Sequence, residues 1–357
     1  MKEVAPTIKR SIELMGLFLI GVILVIGHTV IMPLLMAFFI SVMLLPVFRF
    51  FRRLKVPETI SIVLCILLVI MALVLVIWLF TSQIRILVHD YNKIEQHISG
   101  HFDALQAWIN KTFGVSAAEQ VLFVKRQSSK GFSYAGNIAS GAAGSASGTL
   151  LFFGLLPVYI FLIILYRSIF LRFLLMWFPA EDHNNVARVL LQTQVVVKSY
   201  LLGLLIQICY ITLLLWGILA LLGIDHALLI GIIFAFLNLI PYLGALIGNI
   251  IGVLITLASS DKSIHILYVL GAIALVQLLD NNILMPRIVG SRVKLNALAS
   301  ILGIILAGTM TGIAGMFLAL PVLAVLKIIF DHSTNLRKWG VLLGAEKDFK
   351  GAGLRNP

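Results

Sequence analysis

The sequence predicts an all-α polytopic membrane protein with about eight membrane segments, two of them C-terminal helical hairpins, arranged as an inverted repeat. Three observations lead there. First, 61% of the 357 residues are hydrophobic and only 12% are charged, with a mean hydropathy of +1.07; a soluble domain carries about 25% charged residues. Second, the charges fall in short clusters that leave long uncharged blocks between them. Third, two C-terminal blocks are too long for one crossing and are interrupted by Pro or Gly near their middle. A spanning helix takes about 20 apolar residues.

Taken in order, Leu14 to Phe48 is uncharged and exceeds one upright helix, so two are expected, near 11–27 and 30–48, broken at Gly27-His28-Thr29 and Pro33. Arg49, Arg52, Arg53 and Lys55 follow as a basic cluster, and Thr59 to Phe80 is the third helix. These make an N-terminal region, 1–81. Residues 82–148 differ in kind. Charged residues alternate with Ile94, Ile98, Leu105 and Ile109 at helical spacing, which reads as amphipathic helices outside the hydrocarbon. Gly136, Ser140, Gly144 and Gly148 then recur every fourth position, a stripe suited to close helix approach. Leu150 to Tyr166 is the fourth crossing, and an amphipathic stretch over 180–198 closes the region 149–198.

The region 199–330 reads as a transport core. Ser199–Leu222 is one crossing, and His226 to Ala258 would be about 50 Å of straight helix, against a hydrocarbon core of about 30 Å. Asn238, Pro241 and Gly244 sit in its middle, so a hairpin of two short arms is expected. Ser263 to about Asn282 is the next crossing. Leu295 to Leu326 is again overlong and interrupted at Gly308-Thr309-Met310-Thr311-Gly312, a second hairpin. Helix plus hairpin thus occurs twice, with Gln207 and Gln277 in comparable helices. If the hairpins dip in from opposite faces, this is the inverted-repeat layout of transporters. A polar, basic tail occupies 331–357.

The net charge of +12 lies in segments between apolar blocks, so the positive-inside rule explains it more simply than nucleic-acid binding. It places both termini in the cytoplasm, with 49–55 and 167–198 inside and 82–148 and Asp225 outside. Cys65 and Cys209 lie within apolar blocks and are expected to be buried thiols. No small-residue cleavage site follows the first block, so a removed signal peptide is not expected. His97 and His101 are four apart but lack a third ligand, so no metal site is expected. No nucleotide-binding, metalloprotease or hydrolase fingerprint is present, which argues against an enzyme, a cofactor or transport driven by ATP on this chain.

Polar residues within apolar blocks are few, so each is informative. Asp280 lies in LVQLLDNNILMP, and a carboxylate in or beside hydrocarbon normally faces an aqueous cavity or a partner. Asn281 and Asn282 add amides, and Pro286 would release backbone carbonyls. The plain alternative is that Asp280 caps a helix end at the interface. Asn238, Pro241 and Gly244 in NLIPYLG expose backbone at the first hairpin tip, which is tolerated only in protein or at a cavity. Thr309, Thr311 and Gly312 do the same at the second, the alternative being a simple Gly-permitted turn. Gly248 and Gly252 read as helix packing. A site between the two tips, with Asp280 and Gln277 beside it, is the expectation.

NLIPYLGALIG and QLLDNNILMPRIVGSRVKLNALASILGIILAGTMTGIAGMFLALPVLAVLK resemble the C-terminal signature of the autoinducer-2 exporter family, also called PerM-like permeases. Gln277, Asp280, Asn281, Asn282, Pro286, Gly290, Gly308, Gly312, Gly315 and Pro321 carry the resemblance, which is specific over about 225–330. Asn296-Ala297 stands where His-Pro is expected. The resemblance implies a secondary transporter in the bacterial inner membrane. Its cargo would be autoinducer-2 or another small polar solute, or else sodium exchanged for protons. It also implies homo-oligomers, with pentamers among the forms expected. A passive channel is the alternative of another class.

Overall fold

In a computed structural model the described residues are almost wholly α-helical. The structure describes residues 6–90, 93, 96–97, 100–101, 107, 110–112, 146–241, 243–284, 295–333 and 336–344. The Gly136–Gly144 part of the small-residue stripe, Tyr242, Pro286, Gly290 and the end of the tail lie outside the described residues. Five described helices are long and apolar enough to cross a membrane, or six if one bent pair counts as a single span. The chain is therefore a multi-span membrane protein.

The helices are α1 (Pro6–Ile26), α2 (His28–Arg53), α3 (Glu58–His89), α4 (Ala146–Leu165), α5 (Arg167–Met176), α6 (His183–Leu221), α7 (Ala227–Leu237), α8 (Leu243–Ser259), α9 (Ile264–Leu279), α10 (Ala297–His332) and α11 (Arg337–Leu343). The break at Gly27 and both overlong C-terminal blocks fall where block lengths place them. Four boundaries differ from expectation. α3 runs on to His89, nine residues past Phe80, because 81–89 contain no Gly or Pro to stop the helix. α6 unites the expected amphipathic stretch and the following crossing in one helix of 39 residues. Arg167–Met176 is a separate helix, bent 64° from α4. α10 runs on to His332, past the expected start of the tail at 331, and the tail contains α11. Cys65 is buried as expected, but Cys209 is exposed, since it lies outside the buried stripe of α6.

The chain divides into two compact units, Met1–Leu68 with Gly148–Leu202 and Val289–Pro357, and Val69–Ser147 with Gly203–Ile288. In the first unit the helices are apolar all round but bury only a stripe. Ala37, Ser41, Leu44 and Phe48 are buried on α2, and Leu156, Ile160 and Ile164 on α4. Both sets follow helical spacing. The remaining faces carry exposed apolar side chains such as Phe38, Phe153 and Leu162, as surfaces that meet lipid must.

The second hairpin lies in this unit. Inside α10, Gly312 has φ 70° and ψ −154°, so the helix is broken there, in a conformation that only Gly adopts cheaply. Gly303 faces Leu323 and Gly308 faces Met316 so closely that an added Cβ at either glycine would collide. The pairs lie on either side of Gly312, so α10 folds back on itself as two antiparallel arms. Asn296 caps the first arm by accepting the Ala299 N–H at 2.7 Å. Its amide donates to the carbonyls of Leu342 at 2.6 Å and Gly344 at 3.2 Å, tying α11 to the start of the hairpin. The departure from His-Pro thus leaves an Asn that performs the capping.

In the second unit Ile211, Leu215 and Leu219 of α6, Leu229, Ile230 and Phe234 of α7, and Val269, Ile273 and Val276 of α9 form one buried core. α7 and α8 make the first hairpin. A Cβ on Gly248 would stand 2.6 Å from the Phe234 ring, and one on Gly252 would stand 3.5 Å from Ile230. Both pairs are centred on Pro241, the turn. Gly252 also faces Val269 and Ile273 of α9, so Gly248 and Gly252 serve packing, as their spacing suggests.

Candidate functional site

The buried stripes of the second unit lead to one polar cluster. On α6 the stripe Leu204, Gln207, Ile211, Leu215 is buried, and on α9 so is Val269, Ile273, Val276, Asp280. Each stripe is apolar except for one residue, and those two residues meet. Asp280 is 2% exposed and Gln207 is 3% exposed. Gln207 Nε2 donates to Asp280 Oδ2 at 2.8 Å. The Tyr210 hydroxyl, one turn along α6, donates to Oδ1.

The break between α7 and α8 supplies the third partner. Asn238 is the C-terminal cap of α7, and its Nδ2 donates to Asp280 Oδ2 at 3.4 Å. Gln277, one turn before Asp280, donates through Nε2 to Asn238 Oδ1 at 2.8 Å. Helix α9 gives way at Asp280 to a five-residue π-turn, Asp280–Leu284, a geometry frequent at functional sites.

The partners of this carboxylate are all neutral. An ionised carboxylate offers only acceptors, and three donors from α6 and the α7–α8 break satisfy part of that capacity. A bare negative charge in a low-dielectric interior is costly unless it is paired. Gln207 Oε1 is also buried with no hydrogen-bond partner among the described residues. An anionic oxygen and an orphaned amide oxygen so arranged can accept a proton or ligate a small cation.

Among the expected site residues, the structure brings together Asp280, Gln277 and Asn238. Asp280 terminates α9, but its side chain is inside the cluster rather than capping a turn at a surface. Asn281 and Asn282 are exposed, and Asn282 donates to the Leu278 carbonyl at 2.9 Å, so neither joins it. Pro241 forms the hairpin turn. Gly244 is buried, and a Cβ there would collide with the Leu237 carbonyl, so its part is to let the chain reverse. Thr309, Thr311 and Gly312 belong to the other unit. The two hydroxyls donate back to their own helix, to Leu306 O and Ala307 O, each at 2.9 Å.

Sequence reasoning left Tyr210 out and named Gln207 only for its repeat position. A signal was available: Gln207 interrupts an otherwise apolar stripe at helical spacing, and Tyr210 follows it by three residues. Among the described residues no group of three or more His, Cys, Asp or Glu could hold a metal ion.

YrrI of Bacillus subtilis is 27% identical over 324 residues, covering 87% of this chain and 88% of that protein. The AI-2 transport protein TqsA of Escherichia coli is 25% identical over 320 residues, covering 88% and 89%. YueF of Bacillus subtilis is 38% identical over a shorter stretch of 116 residues, 32% and 31% of the two chains. The model of the AI-2E family transporter matches residues 14–335, and the chain belongs to that family.

Proposed function

We propose that this transporter is a secondary permease that exports a small polar solute such as autoinducer-2, driven by a cation gradient, and that Asp280 is its coupling residue. One observation carries the reading: a carboxylate only 2% exposed is bonded solely to neutral donors. Ionisable groups in membrane interiors mark ion and substrate pathways by default, and one without a counter-charge has room for a proton or a monovalent cation. The similarity to a protein named for AI-2 transport supports the choice of cargo.

In this reading Gln207, Tyr210, Asn238 and Gln277 hold the coupling site, and Asn281 and Asn282, which are exposed, meet the solute. Pro241 and Gly244 shape the first break, while Thr309, Thr311 and Gly312 provide a second set of solute contacts. The chain lies in the bacterial inner membrane as a homo-oligomer with both termini cytoplasmic. It carries about eight membrane segments, with the transport core over 199–330 arranged as an inverted repeat. The other regions are the N-terminal helices, 1–81, the extramembrane insertion, 82–148, the segment 149–198 and the tail, 331–357.

Reconstitution of the full chain into liposomes tests this, with autoinducer-2, sodium and proton fluxes followed in parallel. Saturable, gradient-driven solute efflux that is lost in Asp280→Asn is expected. Efflux that neither saturates nor follows an ion gradient would identify a channel instead. The same buried carboxylate favours one second reading, a sodium–proton antiporter. There, added sodium moves protons with no solute present.

A further inference from the structure

We propose that α5, with the basic turn between α2 and α3, is an interfacial docking site for anionic lipid headgroups. Helix α5 has ten residues, about 15 Å, half of what a crossing needs. It leaves α4 at a 64° bend and buries none of its residues. Ile169, Phe170, Phe173, Met176 and Trp177 are all exposed, at 55% to 84%, with the tilted rings of Phe173 and Trp177 centred 5.7 Å apart. So dense an apolar patch is not left in water by a soluble surface. A helix too short to span and too apolar for water lies along the bilayer interface, where Trp is favoured.

The charge on this surface selects the lipid. Arg167 and Arg172 are the only charged residues between Lys130 and Glu181. Ser168 and Arg172 are one turn apart, on the side opposite Phe173 and Trp177. The root of α5 is fixed in place: Arg167 pairs with Glu58 at 2.7 Å, and its guanidinium lies 4.7 Å over the Phe48 ring. That contact sets α5 beside the α2–α3 turn, where Arg49, Arg52, Arg53 and Lys55 are exposed. Arg52 braces the turn by donating to Val56 O at 2.7 Å. With Glu58 committed to Arg167, this surface is basic, and headgroups carrying a net negative charge complement it.

Fluorescence quenching tests this on the full chain. Trp78, Trp108, Trp216 and Trp339 are replaced by Phe to leave Trp177 alone, in phosphatidylcholine vesicles with about one-fifth phosphatidylglycerol, a composition bearing a negative surface potential. Brominated acyl chains are placed first on one lipid and then on the other. Per brominated molecule, phosphatidylglycerol is expected to quench Trp177 about two-fold or more above phosphatidylcholine, in line with the attraction of basic residues for anionic headgroups. That excess should vanish in R53Q/R172Q, while a variant retaining only Trp78 shows no excess. Equal quenching by both lipids would overturn the headgroup selectivity. Absence of quenching would mean that protein, such as a second copy, covers α5, and would overturn the proposal entirely.

Discussion

Gln207 gives its amide hydrogen to Asp280 at 2.8 Å yet keeps its own carbonyl oxygen buried and without a partner among the described residues. The two facts are linked. An ionised carboxylate only accepts, so it takes the amide's hydrogen and offers none to the amide oxygen. A buried acceptor left unmade costs about 1–3 kcal/mol. A proton on Asp280 would give the pair a donor, and a cation would give both oxygens a ligand. The cluster is therefore better satisfied when loaded than when empty, which is what a coupling site requires.

The first prediction separates stability from function at Asp280. Asp280→Asn keeps the shape and removes a buried charge whose partners are all neutral. Removing a buried charge that has no counter-charge relieves its desolvation cost. The unfolding temperature in detergent should hold or rise, while gradient-driven flux in liposomes falls about ten-fold or more, since a coupling carboxylate cannot be replaced by a group that neither ionises nor binds a cation. A large drop in unfolding temperature would instead mark the carboxylate as structural.

Tyr210→Phe tests whether the cluster acts as one network. The variant withdraws the hydroxyl that donates to Asp280 and little else. It should lower stability by about 1–2 kcal/mol, as for a hydrogen bond to a charged group. In the Asp280→Asn background the same change should cost less, with a coupling of about 0.5 kcal/mol or more between the two positions. Additive effects, measured as shifts in unfolding temperature over the four-variant cycle, would show that the hydroxyl serves something other than the carboxylate.

Charge-free block lengths in the sequence carried much of this architecture. A block near twice the hydrocarbon thickness must fold back or break, and Pro241 and Gly312 are where it does. The cluster was partly legible: Asp280 announced itself as a charge beside a long apolar run, and Asn238 as an amide at a break. Tyr210 did not, because tyrosine in an apolar helix is ordinary and only the stripe position of Gln207 points to its neighbour. The length of α6 was illegible for a related reason. A change from polar to apolar surface at Ser199 marks where solvent changes along a helix, not where the helix ends. Conversely, the threonines at 309 and 311 looked like free hydroxyls, although Thr in a helix readily satisfies itself on the carbonyl three or four residues back.

Gly312 should be the least replaceable glycine of the second hairpin. With φ 70° and ψ −154°, Gly312→Ala forces an L-residue into a region that is essentially closed to it, at a cost of about 1–3 kcal/mol. No neighbouring atom crowds the position, so the loss is one of backbone strain alone. Gly217, helical in α6 and equally uncrowded, provides the control. Gly217→Ala should be neutral or stabilise by up to about 1 kcal/mol. Thermal unfolding of the two variants side by side checks the contrast, and equal effects would rule out strain as the cause.

The C-terminal attachment makes the final prediction, because Asn296 does two separable things. Its carboxamide oxygen caps α10 at Ala299, and its NH2 group holds Leu342 O and Gly344 O. Asn296→Asp keeps the capping oxygen and discards both donors, turning them into acceptors that face carbonyls. Asn296→Ala discards everything. Loss of an N-cap costs about 0.5–2 kcal/mol, so Asn296→Ala should lower the unfolding temperature more than Asn296→Asp. Release of α11 depends only on the lost donors, so both variants should expose the 333–344 segment to protease at similar rates, well above the parent chain. If Asn296→Asp remains as resistant as the parent, the tail is held by the backbone bond from Asn296 N to Leu343 O and by the packing of Gly340 against Asp331, and the side-chain tie is secondary.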